Sequence, residues 1–317
     1  MVRHMPRLAD PDPPLPVLFS ASQALAAGLT RGQIQQRLRS GRWVRLATGS
    51  YRRSDWAPGF PADEHARARL NHAHRAIAAV RRNPGCVIGF QSAAVLHQMP
   101  LYSRLPTSVV LIAPPGHWSG GRDGLLIRCA ALRPMDVTGG AVPLTTPART
   151  WLDVSRTLTL ADGLAAGDGG LRRGVLQLPA VSRTLLGIEG TRGCRKAALA
   201  AEHLSGVRET ALESGSWAYF VEHRLPLPRM QVEFRGDDGR HVGRVDFYWD
   251  EARLVGECDG RMKYTGPDAN YQEKRREDGL RELGLGVTRW GWTDLRDGRL
   301  AERLRRRLAE RPPSRPA

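Results

Sequence analysis

Three carboxylates in the last third of the chain have the types and spacing of a metal-dependent active site. Asp246 lies near the end of one predicted strand, and Glu257 and Asp259 lie two residues apart on the next strand. Residues two apart on a strand project to one face, so we expect the three side chains to converge at one sheet edge. Clustered carboxylates repel one another unless a hard cation neutralises them, which predicts a Mg²⁺ or Mn²⁺ site. The alternative is an acidic turn with surface carboxylates.

The elements that must position these carboxylates follow from periodicity and turn signals. From Glu209 onward the pattern predicts a helix, three strands, a helix, a strand and a last helix. GDDG at 236–239 predicts a tight hairpin between the first two strands, and DEA at 250–252 joins the next pair. We therefore expect an α-β-β-β-α-β-α domain in which the middle strands form a meander.

The segment VDFYWDEARLVGECDGRMKY at 245–264 resembles the metal-binding core of the PD-(D/E)XK restriction-endonuclease-like superfamily, in its very-short-patch-repair (Vsr-like) branch. The resemblance extends to LES at 212–214, to LPLPRMQVEF and to EKRREDGLRELGLGVTRWGWTDL at 273–295. It implies that Asp246 is the principal metal ligand and Glu257 the second acidic group. It also implies that the Cys258 carbonyl is a further ligand and that Glu213, on a helix, orients metal-bound water.

The sequence departs from the superfamily pattern at one functional position. Asp259 stands where a Lys usually follows the Glu, so the cation that stabilises the transition state must come from Lys263 or Lys274. A His that many relatives carry a few residues later is absent from the stretch RMKY. The next helix presents Lys274, Arg275 and Arg276 beside Asp278, and we expect these cations to contact a nucleic-acid backbone. The alternative is an ion pair within the helix between Lys274 and Asp278, four residues apart.

The beginning of the chain predicts two short helices and a hairpin. Ser20 can cap a helix over ASQALAAGL, and Thr30 can cap a second over RGQIQQRLRSG. The following WVRLATGSYRR alternates apolar and polar residues as a two-stranded wing would. In a winged helix the second helix enters the major groove. The candidate nucleic-acid contacts are Arg31, Gln33, Gln35, Gln36, Arg37, Arg39, Arg42 and Arg45.

This first segment also resembles a known family. GLTRGQIQQRLRSGRWVRLATGSYRR at 28–53 is similar to the N-terminal domain of AbiEi-type antitoxins, which implies a helix-turn-helix regulator module. The alternative is a small helical cap whose polar face meets water.

The middle segment predicts a mixed α/β scaffold. Its His65, His72 and His74 lie on one predicted helix, where we expect a solvated face rather than a metal site.

Composition gives the chain its broad class. The 48 Lys and Arg residues against 32 acidic residues give a net charge of +16, which favours nucleic acid as the partner. Four unpaired cysteines and the lack of a signal-peptide or membrane-spanning stretch predict a cytoplasmic protein without a membrane partner. We expect a multidomain α/β protein: a flexible lead (1–16), a winged helix (17–60), a scaffold (61–204), a nuclease-like domain (205–311) and a tail (312–317).

These patterns lead to three functional hypotheses. The first is a metal-dependent DNA endonuclease or nickase, active in DNA repair or phage defence. The second is a DNA-binding regulator of the toxin-antitoxin type whose nuclease-like domain has lost turnover. The third is an RNA-cleaving nuclease, because carboxylate-metal chemistry is indifferent to the sugar. The sequence leaves open whether a partner protein or a second copy of the chain takes part.

Overall fold

A computed structural model of the chain describes residues 12–54, 63–259 and 267–310, with side chains from residue 274 onward in the last range. The protein is a mixed α/β protein with two compact units. Unit 1 is made of Met1–Ile88, Pro106–Leu132 and Gly139–Leu144, and unit 2 of Gly89–Leu105, Arg133–Thr138 and Thr145–Ala317. Residues 1–11, 55–62, 260–266 and 311–317 lie outside the described residues, and they include most of the predicted lead (1–16) and all of the predicted tail (312–317).

The helices and strands follow one another through both units. The first part of the chain contains β1 (Leu18–Ser20), α1 (Ala21–Ala26), α2 (Arg31–Arg39), β2 (Trp43–Ala47), β3 (Ser50–Arg53), α3 (Glu64–Arg82), β4 (Val87–Ile88), α4 (Phe90–Leu96), β5 (Val109–Ala113), β6 (Gly120–Arg122) and β7 (Leu125–Cys129). The second part contains α5 (Pro147–Thr157), α6 (Leu160–Arg172), α7 (Leu178–Leu185), α8 (Cys194–Glu202), α9 (Ala211–Glu222), β8 (Arg229–Arg235), β9 (His241–Trp249), β10 (Leu254–Cys258), α10 (Pro267–Glu282), β11 (Gly286–Trp290) and α11 (Arg299–Ala309).

The predicted helix pair and hairpin are present at the start of unit 1. Ser20 and Thr30 each form a capping box with the Gln three residues later, which satisfies the first amides of α1 and α2. β2 and β3 pair antiparallel, and an additional strand, β1, joins them in the order β1-β3-β2. Phe19, Trp43 and Tyr51 form the small aromatic core beneath this sheet.

Asp12 fastens the beginning of the described chain to this sheet. Its carboxylate accepts hydrogen bonds from Arg37 Nε at 2.7 Å and from Trp43 Nε1 at 2.8 Å. Burial alone would raise the pKa of the Asp12 carboxyl, but the hydrogen bonds from Arg37 and Trp43 and the nearby charge of Arg42 lower it below its ordinary value. Asp12 therefore stays ionised and holds residues that the sequence predicts to be part of a flexible lead.

The remainder of unit 1 is a four-stranded sheet in the order β4-β5-β7-β6, packed with α3. α3 contacts β2 of the first sheet as well as β4 and β5 of the second. Because two sides of this helix are covered, His72 and His74 are both buried, with 2% and 7% of their surface exposed. The expectation of a solvated histidine face was therefore wrong for these two residues, while His65 is exposed.

Unit 2 surrounds a second four-stranded sheet with helices. The strand order is β11-β10-β9-β8, in which β10 and β11 are parallel and the other pairs antiparallel. One sheet face shares a core with α9 and with helices α5, α6, α7 and α8, which include Trp151 and Leu164. The opposite face packs around Val255 and Leu280, on β10 and α10. Helices 147–202, predicted as part of the scaffold segment, thus share the core of the C-terminal sheet.

A buried ion pair joins α6 to the start of α9. Asp168 accepts bonds from Arg208 Nε at 2.6 Å, from Ser214 Oγ at 2.7 Å and from Ser205 N at 3.0 Å. Asp168 and Arg208 are 1% and 2% exposed, so each needs the other as its counter-charge. This network fixes the first turn of α9, where Glu213 lies.

Among the residues that the structure describes, no helix is both long enough and apolar enough to cross a membrane.

Acid should destabilise unit 1 through its buried histidines. Burial and the charge of Arg75 lower the pKa of His72 to about 4, although a hydrogen bond with the Pro106 backbone weakly opposes them. Burial and the charge of Arg52 likewise lower the pKa of His74 to about 4. Between pH 6.5 and about 4 the unfolded chain binds more protons, so stability is lost as the pH falls through this window, on the order of 3 kcal/mol per His. Hydrogen exchange of the α3 amides between pH 7 and 4 measures it.

The matched variants are His72→Gln with His74→Gln, and the exposed His65→Gln on the same helix. The double variant should lose most of the pH dependence, whereas His65→Gln should keep it. An unchanged pH dependence in the double variant would contradict this explanation.

Candidate functional site

The predicted carboxylates are carried by the sheet of unit 2. The described elements run α9, β8, β9, β10, α10, β11, α11, which is the predicted α-β-β-β-α-β-α order. Asp246 lies within β9, Glu257 and Cys258 end β10, and Asp259 follows directly. Because β9 and β10 are adjacent antiparallel strands, the end of β10 lies beside the middle of β9.

Asp246 accepts a hydrogen bond at the point where the pairing of β9 and β10 stops. The last described pair is Gly256 with Phe247, so Asp246 and Glu257 occupy the next position along the two strands. The Asp246 Oδ2 atom accepts a hydrogen bond from the backbone N–H of Cys258 at 2.8 Å. The Asp246 side chain thus takes the place of the next backbone hydrogen bond between the two strands. It also fixes the Asp246 carboxylate next to the Cys258 peptide unit, whose carbonyl is the predicted further ligand.

Glu257 is a buried carboxylate held by two arginines. It is 7% exposed, and its Oε1 accepts a bond from Arg276 Nη2 at 2.5 Å while its Oε2 accepts one from Arg289 Nε at 3.0 Å. Arg289 is its register partner on the parallel strand β11, and it also donates to Glu277 on α10 at 2.9 Å. Two guanidinium groups therefore compensate the charge of Glu257, and its burial does not by itself require a metal ion.

Glu213 lies in the first turn of α9 with 4% of its surface exposed. It accepts hydrogen bonds from the Glu209 backbone N–H and the Thr210 hydroxyl, each at 2.8 Å, and from Gln231 Nε2 at 3.0 Å. The first two bonds are those of a helix N-terminus, which favours a carboxylate. The third bond connects Glu213 to strand β8.

Gln231 is a site residue that sequence reasoning missed. It lies in β8 with φ = 53°, a left-handed conformation that non-glycine residues rarely adopt, while the pairs on either side of it, Met230 with Phe247 and Val232 with Val245, keep one register. Its Oε1 atom is buried and has no hydrogen-bond partner among the described residues. The register places Gln231 opposite Asp246, so this acceptor belongs to the same region as the carboxylates. A single Gln within a strand gave no signal of this strain.

The surroundings of the Cys258 thiol favour its neutral form. Burial raises the pKa of the Cys258 thiol well above its ordinary value, and the charge of Asp246 raises it further. Its Sγ lies 3.2 Å from Ser216 Oγ, which accepts a bond from Trp290 Nε1 at 2.7 Å. A neutral thiol is a poor nucleophile and a poor metal ligand, so only the backbone carbonyl of Cys258 remains as a candidate ligand. Trp290 itself is 2% exposed and packs in the core.

The remaining predicted residues of the site are dispersed. Asp259 is half-buried, and its backbone N–H donates to the Trp290 carbonyl at 2.9 Å. Lys274 and Arg275 are exposed on α10, and Lys263 lies outside the described residues. Within residues 12–54, 63–259 and 267–310, no three His, Cys, Asp or Glu side chains are grouped closely enough to hold a metal ion. The convergence of three carboxylates on a cation thus stays a prediction.

The predicted contacts on α2 and the hairpin fall into two classes. Arg37 is 4% exposed, in its ion pair with Asp12, and Gln33 serves the capping box of α2, so neither presents its polar atoms freely to a ligand. Arg42 is partly exposed, 3.4 Å from Asp12. The fully exposed members of the predicted set are Arg31, Gln35, Gln36, Arg39 and Arg45.

Comparisons with known proteins give relatives without an assigned activity. No protein-family model matches the chain. Two curated proteins of Mycobacterium tuberculosis, the uncharacterized proteins MT2308 and Rv2248, are each 32% identical to it over 166 residues, or 52% of this chain. The chain spans 61% of the length of these relatives.

A solved structure, the crystal structure of the Rv2827c protein from Mycobacterium tuberculosis, aligns with 70% of this chain and 84% of its own. The TM-score is 0.37 and the sequence identity 15%. This likeness is too weak to transfer a function.

The pairing of Glu257 with Arg289 should be energetically significant. A double-mutant cycle of Glu257→Gln and Arg289→Met should give a coupling free energy of about 1 to 3 kcal/mol in urea unfolding, because the carboxylate is buried. The matched control is Arg229 with Asp250, also on this sheet, whose side chains are 65% and 53% exposed. That cycle should give about 0 to 1 kcal/mol. Equal coupling in both cycles would show that Glu257 is not held as described.

Proposed function

We propose that this chain is a metal-dependent phosphodiester hydrolase that nicks or cleaves DNA. The observation that carries the proposal is that Asp246 and Glu257 occupy the position directly beyond the last β9–β10 pair. The Asp246 carboxylate accepts a hydrogen bond there from the Cys258 backbone N–H. The α-β-β-β-α-β-α order of elements supports a restriction-endonuclease-like domain over residues 205–311. The helix pair and hairpin support a winged-helix module over residues 17–60 that supplies DNA affinity in the cytoplasm.

The donor atoms fit a hard divalent cation. Asp246, Glu257 and Asp259 offer carboxylate oxygens and Cys258 a carbonyl oxygen, the ligand type that Mg²⁺ and Mn²⁺ prefer. The unpartnered Gln231 Oε1 provides a buried acceptor for the hydration shell of a cation or for a substrate donor. When bound, such a cation lowers the pKa of a coordinated water and polarises the scissile phosphate.

The chain's own residues would do the remaining work. Glu213, fixed by its cap and by Gln231, would orient a nucleophilic water through its carboxylate. Arg276 and Arg289, which hold Glu257, would be the cationic groups available to offset negative charge that develops on phosphorus. Lys274 and Arg275, exposed on α10, are candidates for contacts with the nucleic-acid backbone.

A DNA-binding regulator with an inactive nuclease-like domain is the second candidate. The observation that favours it is that both oxygens of Glu257 are occupied by guanidinium groups, so this carboxylate is already neutralised by the protein. Asp259 in place of the usual Lys points the same way. In that case the surface arginines bind DNA of defined sequence and no turnover follows.

The direct test replaces one carboxylate with its neutral isostere. Asp246→Asn should abolish nicking of supercoiled plasmid in Mg²⁺ or Mn²⁺, a loss of about a hundredfold or more, because a ligand charge is removed while the hydrogen bond from the Cys258 amide can persist. Asp250→Asn, at an exposed position in the turn directly after the same strand, is the matched control and should cleave as the unmodified protein does. Parallel assays on single-stranded DNA and RNA define the substrate.

One result would count against the site and another against the nuclease. Cleavage by Asp246→Asn at the normal rate would remove Asp246 from the site. A metal-independent gel shift by the unmodified protein, with no cleavage of any of these substrates, would favour the regulator.

A further inference from the structure

Unit 1 contains a cleft whose lining includes no residue of α2. Its volume is about 380 Å³, and all the residues that line it belong to this unit. Three elements form its walls: the β2–β3 turn, the C-terminal half of α3 and the β6–β7 turn. Its polar lining is Thr48, Arg75, Arg82, Asn83, Arg122 and Asp123.

The charge of this cleft is predominantly positive. Three arginines, Arg75, Arg82 and Arg122, line it beside a single carboxylate, that of Asp123. The Arg122–Asp123 pair is 3.8 Å apart with both side chains more than 80% exposed, which makes it a weak, solvated contact. Among the described residues, no carboxylate forms an ion pair with Arg75 or Arg82. The cleft therefore holds unneutralised positive charge.

Two of these guanidinium groups are positioned by the backbone of the opposite walls. Arg75 Nη2 donates to the Gly124 carbonyl at 3.4 Å, and Arg82 Nη1 donates to the Thr48 carbonyl. Gly124, with φ = +73°, packs against Arg75 so closely that a Cβ there would lie 2.7 Å from Nη2. Each guanidinium has five N–H donors, so one carbonyl contact orients the group and leaves most donors for a ligand.

We propose that this cleft binds the phosphodiester backbone of a nucleic-acid strand. Planar guanidinium forks match phosphate oxygens in a bidentate way, and three of them along one groove can follow successive phosphates. Arg82 and Arg122 are exposed at the rim, so the groove is accessible to a long polyanion. Nucleic acid is also the substrate class of the proposed nuclease. The cleft, however, would contribute binding affinity from unit 1, and it requires no cleavage.

The experiment measures DNA affinity in the full chain without metal. Fluorescence anisotropy with a labelled 20-base-pair duplex in chelator gives Kd over a series of salt concentrations, about 50 to 300 mM. Arg75→Gln, Arg82→Gln and Arg122→Gln should each weaken binding about three- to tenfold and lower the slope of log Kd against log salt by about 1. The matched control is Arg67→Gln, an exposed residue near the start of α3 with the same change of charge.

The outcomes separate a built site from bulk charge. Arg67→Gln should change Kd less than twofold; an effect equal to that of the cleft variants would overturn the proposal, as would unchanged binding in all three of them. Arg82→Lys, which keeps the charge but not the fork, should bind at an intermediate level, and thermal melts identify any variant that has unfolded. Inorganic pyrophosphate at millimolar concentration should not displace the duplex if a strand is the ligand. The binding measurement does not depend on the proposed nuclease, because it is made in chelator, where no metal-dependent cleavage takes place. Failure of the proposed function would therefore leave this result unchanged.

Discussion

The buried charge of Glu257 is the constraint around which the C-terminal sheet is organised. A carboxylate with 7% exposure must be compensated, and Arg276 from α10 and Arg289 from β11 both reach it. The same Arg289 holds Glu277, so one carboxylate ties two strands and a helix together. In the proposed function, a cation bound at this edge would share Glu257 with these two arginines, and this competition is what would distinguish the two proposed candidates.

Much of this arrangement could be predicted from local signals. Capping residues placed the starts of α1 and α2, the GDDG turn placed the β8–β9 hairpin, and the apolar runs placed the strands that carry Asp246 and Glu257. These features depend on residues within a few positions of one another, which is the range over which sequence patterns are informative.

The features that escaped prediction depend on contacts between distant segments. Arg289 meets Glu257 only through the register of β11 with β10, two strands separated by a helix. Arg37 resembles a DNA contact by its position on α2, but Asp12, 25 residues earlier, buries its charge. His72 and His74 are both covered because α3 packs on two sheets. The left-handed backbone of Gln231 has no sequence signature, since Gln is not a residue that favours a positive φ.

The central claim is that Asp246 and Glu257 form a divalent-cation site, and Mn²⁺ binding tests it independently of any substrate. Electron paramagnetic resonance of free Mn²⁺, titrated into the unmodified protein and into Asp246→Asn, reports bound metal directly. The account predicts saturable binding that the Asn variant loses, with equal unfolding temperatures of the two proteins in metal-free buffer. Equally weak, non-saturable binding by both proteins would contradict it and leave the arginines as the only counter-charge of Glu257.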